Sequence, residues 1–337
     1  MPHRPGPPLT FGITPAGEAG ALGPAVPAVP DDPPKTLAAL NRLRPGGAPF
    51  LLRLNRLFWS DGGAGIARFA ALVDHYTRAG YRVELQLRYH PRPDQEGDIG
   101  AWVDFVRTVG RPVGPNRRVW GLQVTNEVNF TVSPDSSDGA YAGARDALIA
   151  GVEAAHAEAA QRGFRRLRIG FNWFYRMDPA SEAGFWTYMH DHGGPAFVPA
   201  VDWVGLDAYP GTFFPPSEPP GGHRDAMVNA LSTLRCFMAT AGIGDATPIH
   251  VEENGWPTQP PLRSYDQQAQ VLDTMVRAVS DFRGTFNVTD YRWFDLRDHS
   301  TASTNFQHHY GLLEDDYTPK PAFAAYGRLV AALARRR

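Results

Sequence analysis

The sequence predicts a single (β/α)8 barrel. Segments that read as strands alternate strictly with segments of helical period. There are eight such pairs, and each takes roughly 40 residues of a 337-residue chain. Strict alternation implies a parallel sheet, and eight units in one chain of this length fit closure into a barrel. An open doubly wound sheet is the competing fold. No G-x-G-x-x-G follows the first strand, which disfavours it.

The strands are read in order at residues 9–14, 49–55, 82–90, 119–125, 167–172, 201–209, 247–253 and 287–294. The helices between and after them are read at 35–43, 65–79, 99–109, 139–162, 180–191, 224–241, 265–282 and 321–334. The second helix carries Ile66, Phe69, Val73 and Tyr76 on one stripe and stops at Gly80. The fourth is Ala-rich and ends at Gly163. The seventh repeats the stripe with Leu272, Met275, Val279 and Phe282. Residues 15–34, 56–63, 130–138 and 210–223 read as loops rich in Pro, Gly or polar side chains. The whole of 1–337 is taken as one domain, with residues 1–8 a disordered N-terminal tail and Arg335-Arg336-Arg337 a solvated end.

Hydrophobic residues make up 43% and charged residues 20%, enough for a sizeable core. A formal net charge of -2 gives no general pull toward nucleic acid or an anionic membrane, and neither is expected as a partner. No run of about 18 apolar residues is present, so no spanning helix is expected. The Pro-rich start lacks an apolar h-region, so the chain as written is expected in the cytoplasm, or secreted if a leader was trimmed. The single cysteine, Cys236, cannot form an internal disulfide and is read as a buried thiol in an apolar helix. The oligomeric state is left open, with a monomer compatible.

The fourth strand runs Val119-Trp120-Gly121-Leu122-Gln123-Val124-Thr125 and ends in Asn126-Glu127. The seventh ends in Glu252-Glu253-Asn254-Gly255-Trp256-Pro257. Carboxylates at strand ends are how a barrel presents acids to a substrate. Two carboxyl groups can cut a glycosidic bond, one delivering a proton and one stabilising the oxocarbenium-like transition state. That chemistry needs no metal or organic cofactor, and none is expected. An Asn-Glu dipeptide alone carries little information; its position and the second motif give it weight.

With both motifs in place, the chain resembles the retaining glycoside hydrolases of the "4/7" barrel superfamily, clan GH-A, with the family inside the clan unassigned. The Gly255-Trp256-Pro257 signature is similar to that of endo-β-glucanases and β-galactanases of the clan. The resemblance spans residues 9–330 and implies roles. Glu127 would be the general acid/base and Glu253 the nucleophile. Asn126 would meet the sugar 2-hydroxyl, Tyr209 would hydrogen-bond the nucleophile, and Trp293 would floor the cleavage subsite. Arg53 and His90 match less specific polar positions. Gly311-Leu312-Leu313 and Pro319-Lys320-Pro321-Ala322-Phe323 resemble the clan's structural ending. The implied partner is an oligo- or polysaccharide.

One feature departs from the clan's pattern. Side chains alternate along a strand, so Glu253 shares a face with Ile249 and Val251, which would turn Glu252 inward instead. The clan has a small polar residue where Glu252 stands. A bulge near the strand end would re-aim Glu253, and the motif favours Glu253, with Glu252 its competitor.

Blander roles stand beside these. Tyr209 can be a rim aromatic, Trp293 a core tryptophan, and Arg53 and His90 members of buried ion pairs. Trp59, Trp173 and Trp256 can stack on sugar faces or simply pack. His308-His309 has no third ligand at metal spacing and reads as a loop lining a cleft. A catalytically idle carbohydrate-binding barrel is the alternative function. A metal-dependent barrel hydrolase is a third, and it would want His-x-His on the first strand, where Phe11-Gly12-Ile13-Thr14 stands.

Overall fold

A computed structural model describes residues 6–20 and 26–334. The tail expected over residues 1–8 therefore lies outside the description at 1–5, as does the closing arginine run. Eight parallel strands follow one another in chain order and close into a barrel. They are β1 (Thr10–Ile13), β2 (Phe50–Phe58), β3 (Arg82–Arg88), β4 (Val119–Val124), β5 (Arg168–Phe174), β6 (Trp203–Ala208), β7 (Ile249–Asn254) and β8 (Val288–Trp293). The helices are α1 (Pro33–Leu43), α2 (Gly62–Arg78), α3 (Ile99–Val113), α4 (Ala144–Gln161), α5 (Pro179–Ala200), α6 (Gly222–Thr240), α7 (Tyr265–Phe286) and α8 (Pro321–Leu333). The fold is the (β/α)8 barrel that the alternation predicts.

Local chemistry explains where the helices begin. Asp32 accepts from the Lys35 backbone ahead of Pro33 and Pro34, and Asp98 and Asp178 cap α3 and α5 in the same way. Ser264 and Gln267 close a reciprocal capping box on α7, which ends on Asn287 in the left-handed region at φ 50°. The predicted stripes are largely buried: Phe69, Val73 and Tyr76 on α2, and Leu272, Met275 and Val279 on α7. Among the described residues no helix is long and apolar enough to cross a membrane.

The chain packs as two compact units, one holding residues 1–52, 207–233 and 249–337, the other 53–206 and 234–248. In the first, α8 packs by Tyr326, whose ring meets Phe11 and whose hydroxyl donates to the Gly12 carbonyl at 2.5 Å. Gly12 has no alternative: a Cβ there would stand 2.3 Å from the Leu51 carbonyl oxygen. The loop after β8 is held by buried charge. Lys320 Nζ donates to Asp298 at 2.7 Å and to Thr258 at 3.0 Å. Burial lowers the Lys320 pKa, opposed by Asp298, and burial pushes neighbouring Asp295 well above the usual carboxylate range.

In the second unit, β3 shows the barrel's two faces. Val83, Leu85 and Leu87 alternate with Glu84, Gln86 and Arg88, and all six are buried. An aromatic layer of Trp173, Trp186, Phe171 and Phe197 packs β5 on α5.

Some expectations are corrected. Strand β2 runs on to Phe58, taking three residues from the expected loop. Helix α5 reaches Ala200 as two helical stretches: the chain kinks at Gly194, at φ 60°, and Pro195 opens the second. Cys236 is exposed, not buried. Met227, Ala230, Leu231, Leu234 and Met238 form the buried face of α6, and Cys236 falls off that stripe.

Gly170 on β5 tests the packing. A Cβ there would stand 2.3 Å from Trp203 Cδ2 and 2.5 Å from its carbonyl oxygen. Gly170→Ala should cost about 1–3 kcal/mol in urea unfolding. A stability equal to the parent would show that β5 and β6 pack more loosely than described.

Candidate functional site

The end of β4 is built by a buried hydrogen-bond cluster in the second unit. Asn126 Oδ1 accepts from Gln86 at 2.6 Å and from Asn172 at 2.8 Å, with Arg53 Nη2 at 3.4 Å. Arg53 also places Nε and Nη2 on Gln123 Oε1 at 2.9 and 2.7 Å. The Asn126 amide donates to the Ser136 carbonyl at 2.9 Å. An amide nitrogen carries two hydrogens, so one donor remains.

Asp138, fully buried in the loop after β4, ties this end together. Its carboxylate accepts from Arg88 Nε at 2.6 Å and from the backbone N–H groups of Tyr89 and Asn126, each at 2.8 Å. Glu127 then turns off the strand. Its backbone donates to Asn172 Oδ1 at 2.9 Å, and its φ is 47°, with Thr125 at 63°. Left-handed φ at non-glycine residues costs of order 1–3 kcal/mol and clusters at functional sites. Here the surrounding hydrogen bonds hold it.

His90, after β3, is half-buried. It shares a hydrogen bond with Ser60 at 3.2 Å and packs on Phe58 and Tyr141. Burial, then the Arg88 charge, lowers its pKa. The Tyr141 phenol is pushed up to about 12 by burial and then by Asp138. Trp59 is 3% exposed, stacked on Tyr89 and edge-on to Trp102, a core position. Trp173 is likewise enclosed, its Nε1 donating to Glu182 at 2.5 Å.

In the first unit the ends of β6, β7 and β8 supply the other candidates. The Tyr209 hydroxyl, next after β6, donates to Glu253 Oε2 at 2.5 Å. Asn254 turns away, donating to the Ala208 carbonyl at 2.6 Å and accepting from Tyr291 at 2.6 Å. Glu252 does something different. It is fully buried, with Oε1 2.7 Å from Arg292 and 3.2 Å from His250. His250 and Arg292 also meet Asp290, at 3.4 and 3.7 Å. The register between β7 and β8 shifts at Ile249/His250, and Asn254 points at Met227 and Met275 of the surrounding helices, away from the face that holds Glu252. Trp293 is buried and anchored by its Nε1 to the Tyr310 carbonyl at 3.2 Å. Trp256 lies under the Arg263 guanidinium at 5.1 Å. His308 and His309 both bond Ser303, at 2.7 and 2.8 Å.

Asp138, Gln86, Gln123 and Asn172 escaped the sequence reading. The polar face of β3 was the available signal for Gln86; nothing local marks Asp138, which sits in a loop of similar residues.

No protein-family model matches the chain, and no curated protein matches it in sequence. Several solved structures share its fold. A GH5_18 protein from Streptomyces cattleya, crystallised in complex with GlcNAc, superposes with a TM-score of 0.64 at 16% identity, over 98% of this chain and 82% of that one. A beta-glucosidase from Thermotoga maritima, in complex with a substituted glucoimidazole, gives 0.63 at 12% identity, over 90% and 87%. A family 39 glycoside hydrolase from Bacteroides cellulosilyticus gives 0.57 at 16%, over 97% and 64%. At these identities the likeness establishes the fold.

Removing the Asp138 carboxylate strands a buried guanidinium. Asp138→Ala should cost about 3–5 kcal/mol in chemical unfolding. Asp135→Ala, which removes the half-exposed partner of Arg56, should cost less than about 1 kcal/mol. Equal effects would mean that Asp138 is not the residue holding the loop.

Proposed function

We propose that this chain is a retaining glycoside hydrolase acting on a β-linked oligo- or polysaccharide, with Glu127 as general acid/base and Glu253 as nucleophile. One contrast on β7 carries the reading. Glu252 is held by Arg292 and His250 inside a buried cluster, whereas Glu253 stands at the strand end and accepts from the Tyr209 phenol. A carboxylate ion-paired at 2.7 Å to a buried guanidinium is a poor nucleophile, because attack would strip that charge of its partner. Tyr209 orients Glu253 without neutralising it.

The reaction runs in two displacements. Glu127 protonates the leaving oxygen while Glu253 attacks the anomeric carbon. Water, deprotonated by Glu127, then releases the sugar, and two inversions give retention. In a closed parallel barrel all carboxyl strand ends share one rim, where catalytic groups gather. The second hydrogen of the Asn126 amide suits a sugar 2-hydroxyl. Three of the similar structures hold GlcNAc, Manβ1-4GlcNAc or a glucoimidazole, which supports a carbohydrate ligand here.

Glu127→Ala should lower kcat by about 10²–10⁴-fold on a substrate with a poor leaving group. With azide, Glu127→Ala should yield the β-glycosyl azide and Glu253→Ala the α-anomer, read by NMR. Parental turnover in either variant would sink the assignment. Glu252→Gln should lose stability yet keep turnover and the retained anomer. If it instead needs azide to turn over, the two glutamates exchange roles.

A further inference from the structure

A second constellation lies at the other end of the strands that carry Glu127. The turns entering β4 and β5 repeat a basic pattern, Asn116-Arg117-Arg118 and Phe164-Arg165-Arg166-Leu167-Arg168, and Arg82 opens β3. These six arginines, with Val119 and Trp120, line one cavity of about 150 Å³. All six are exposed. Arg168 pairs with Asp202 at 3.1 Å, Arg118 donates to the Gly80 carbonyl at 2.9 Å, and Arg82 lies over the Trp120 ring at 5.7 Å. Arg117, Arg165 and Arg166 make no ion pair or side-chain hydrogen bond among the described residues. Among the described residues, Asp202 is thus the only carboxylate paired with any of the six.

Six guanidinium groups converging on one cavity repel one another, and the chain's net charge of -2 shows that this is local and not a general basicity. Guanidinium forks match phosphoryl oxygens two at a time, and a multivalent anion would relieve the repulsion. The cavity is compact, which fits a small polyanion better than a nucleic-acid groove.

We propose that this cavity binds a ligand carrying adjacent phosphoryl groups, either free or as the head of a larger molecule. The six residues of β4 separate it from Glu127 by about 20 Å. Its occupant therefore acts on stability or location and takes no part in the chemistry at Glu127.

The test is calorimetric titration of the full chain with tripolyphosphate at about 0.15 M ionic strength. Saturable binding of one tripolyphosphate per chain is expected, at least about tenfold tighter than orthophosphate. Sulfate at matched ionic strength should not compete. Arg117→Ala/Arg165→Ala/Arg166→Ala should weaken binding at least about tenfold with an unchanged circular dichroism spectrum. Arg166→Ala alone should weaken it measurably, should the triple variant misfold. Vesicles with phosphatidylinositol bisphosphate, against plain phosphatidylcholine and the free headgroup, separate a membrane head from a soluble ligand. No saturable binding, sulfate competing as well as tripolyphosphate, or equal affinity in the variants would overturn the proposal.

Discussion

The geometry around Glu127 depends on one buried ion pair. Asp138 takes Arg88 on one oxygen and two backbone N–H groups on the other, and its own N–H returns to the Asn126 carbonyl at 2.8 Å. Desolvating a carboxylate and a guanidinium costs several kcal/mol per ion, and here most of the carboxylate's acceptor sites are filled in return. What the arrangement secures is position. The loop after β4 is folded back on the ends of β3 and β4, so Thr125 and Glu127 can hold φ values that a free chain would leave.

The same economy of polar groups runs through each unit. In the second, Arg53, Gln86, Gln123, Asn126 and Asn172 satisfy one another in a buried cluster. In the first, His250, Glu252, Asp290 and Arg292 gather as buried ion pairs on β7 and β8. Barrel interiors are commonly filled by branched aliphatics. Here the inward residues are largely charged or amide-bearing, and the apolar residues Val83, Leu85, Ile249 and Val251 lie on the alternate positions. Such a network is costly if any member is left unsatisfied, and it fixes side-chain orientation more tightly than an apolar filling. Of the adjacent glutamates, Glu252 pairs with Arg292 in this network, and Glu253 accepts from the Tyr209 phenol.

The barrel was legible because its signals are local and repeated: capping carboxylates before helices, stripes of helical period, and short apolar strands. The candidate residues at strand ends were legible as motifs. The orientation of Glu253 was not, because strict alternation groups it with Ile249 and Val251, and the hydrogen bond from Tyr209 depends on a strand more than 40 residues earlier in the chain. Asp138 was illegible for a related reason. Its partners lie on β3 and β4, and a loop Asp has no periodicity to betray it. Cys236 looked buried from its apolar neighbours, yet helix geometry sets its face. The basic cavity was hidden because its arginines come from three separate strand entries, each too short to count as a charge run.

The claim that Glu253, not its neighbour, forms the covalent bond is tested most directly by trapping the intermediate. A panel of 2-deoxy-2-fluoro-β-glycosides, followed by peptide mass spectrometry, should place the glycosyl label on Glu253. A label on Glu252, or hydrolysis with inversion and no labelled enzyme, would contradict the account.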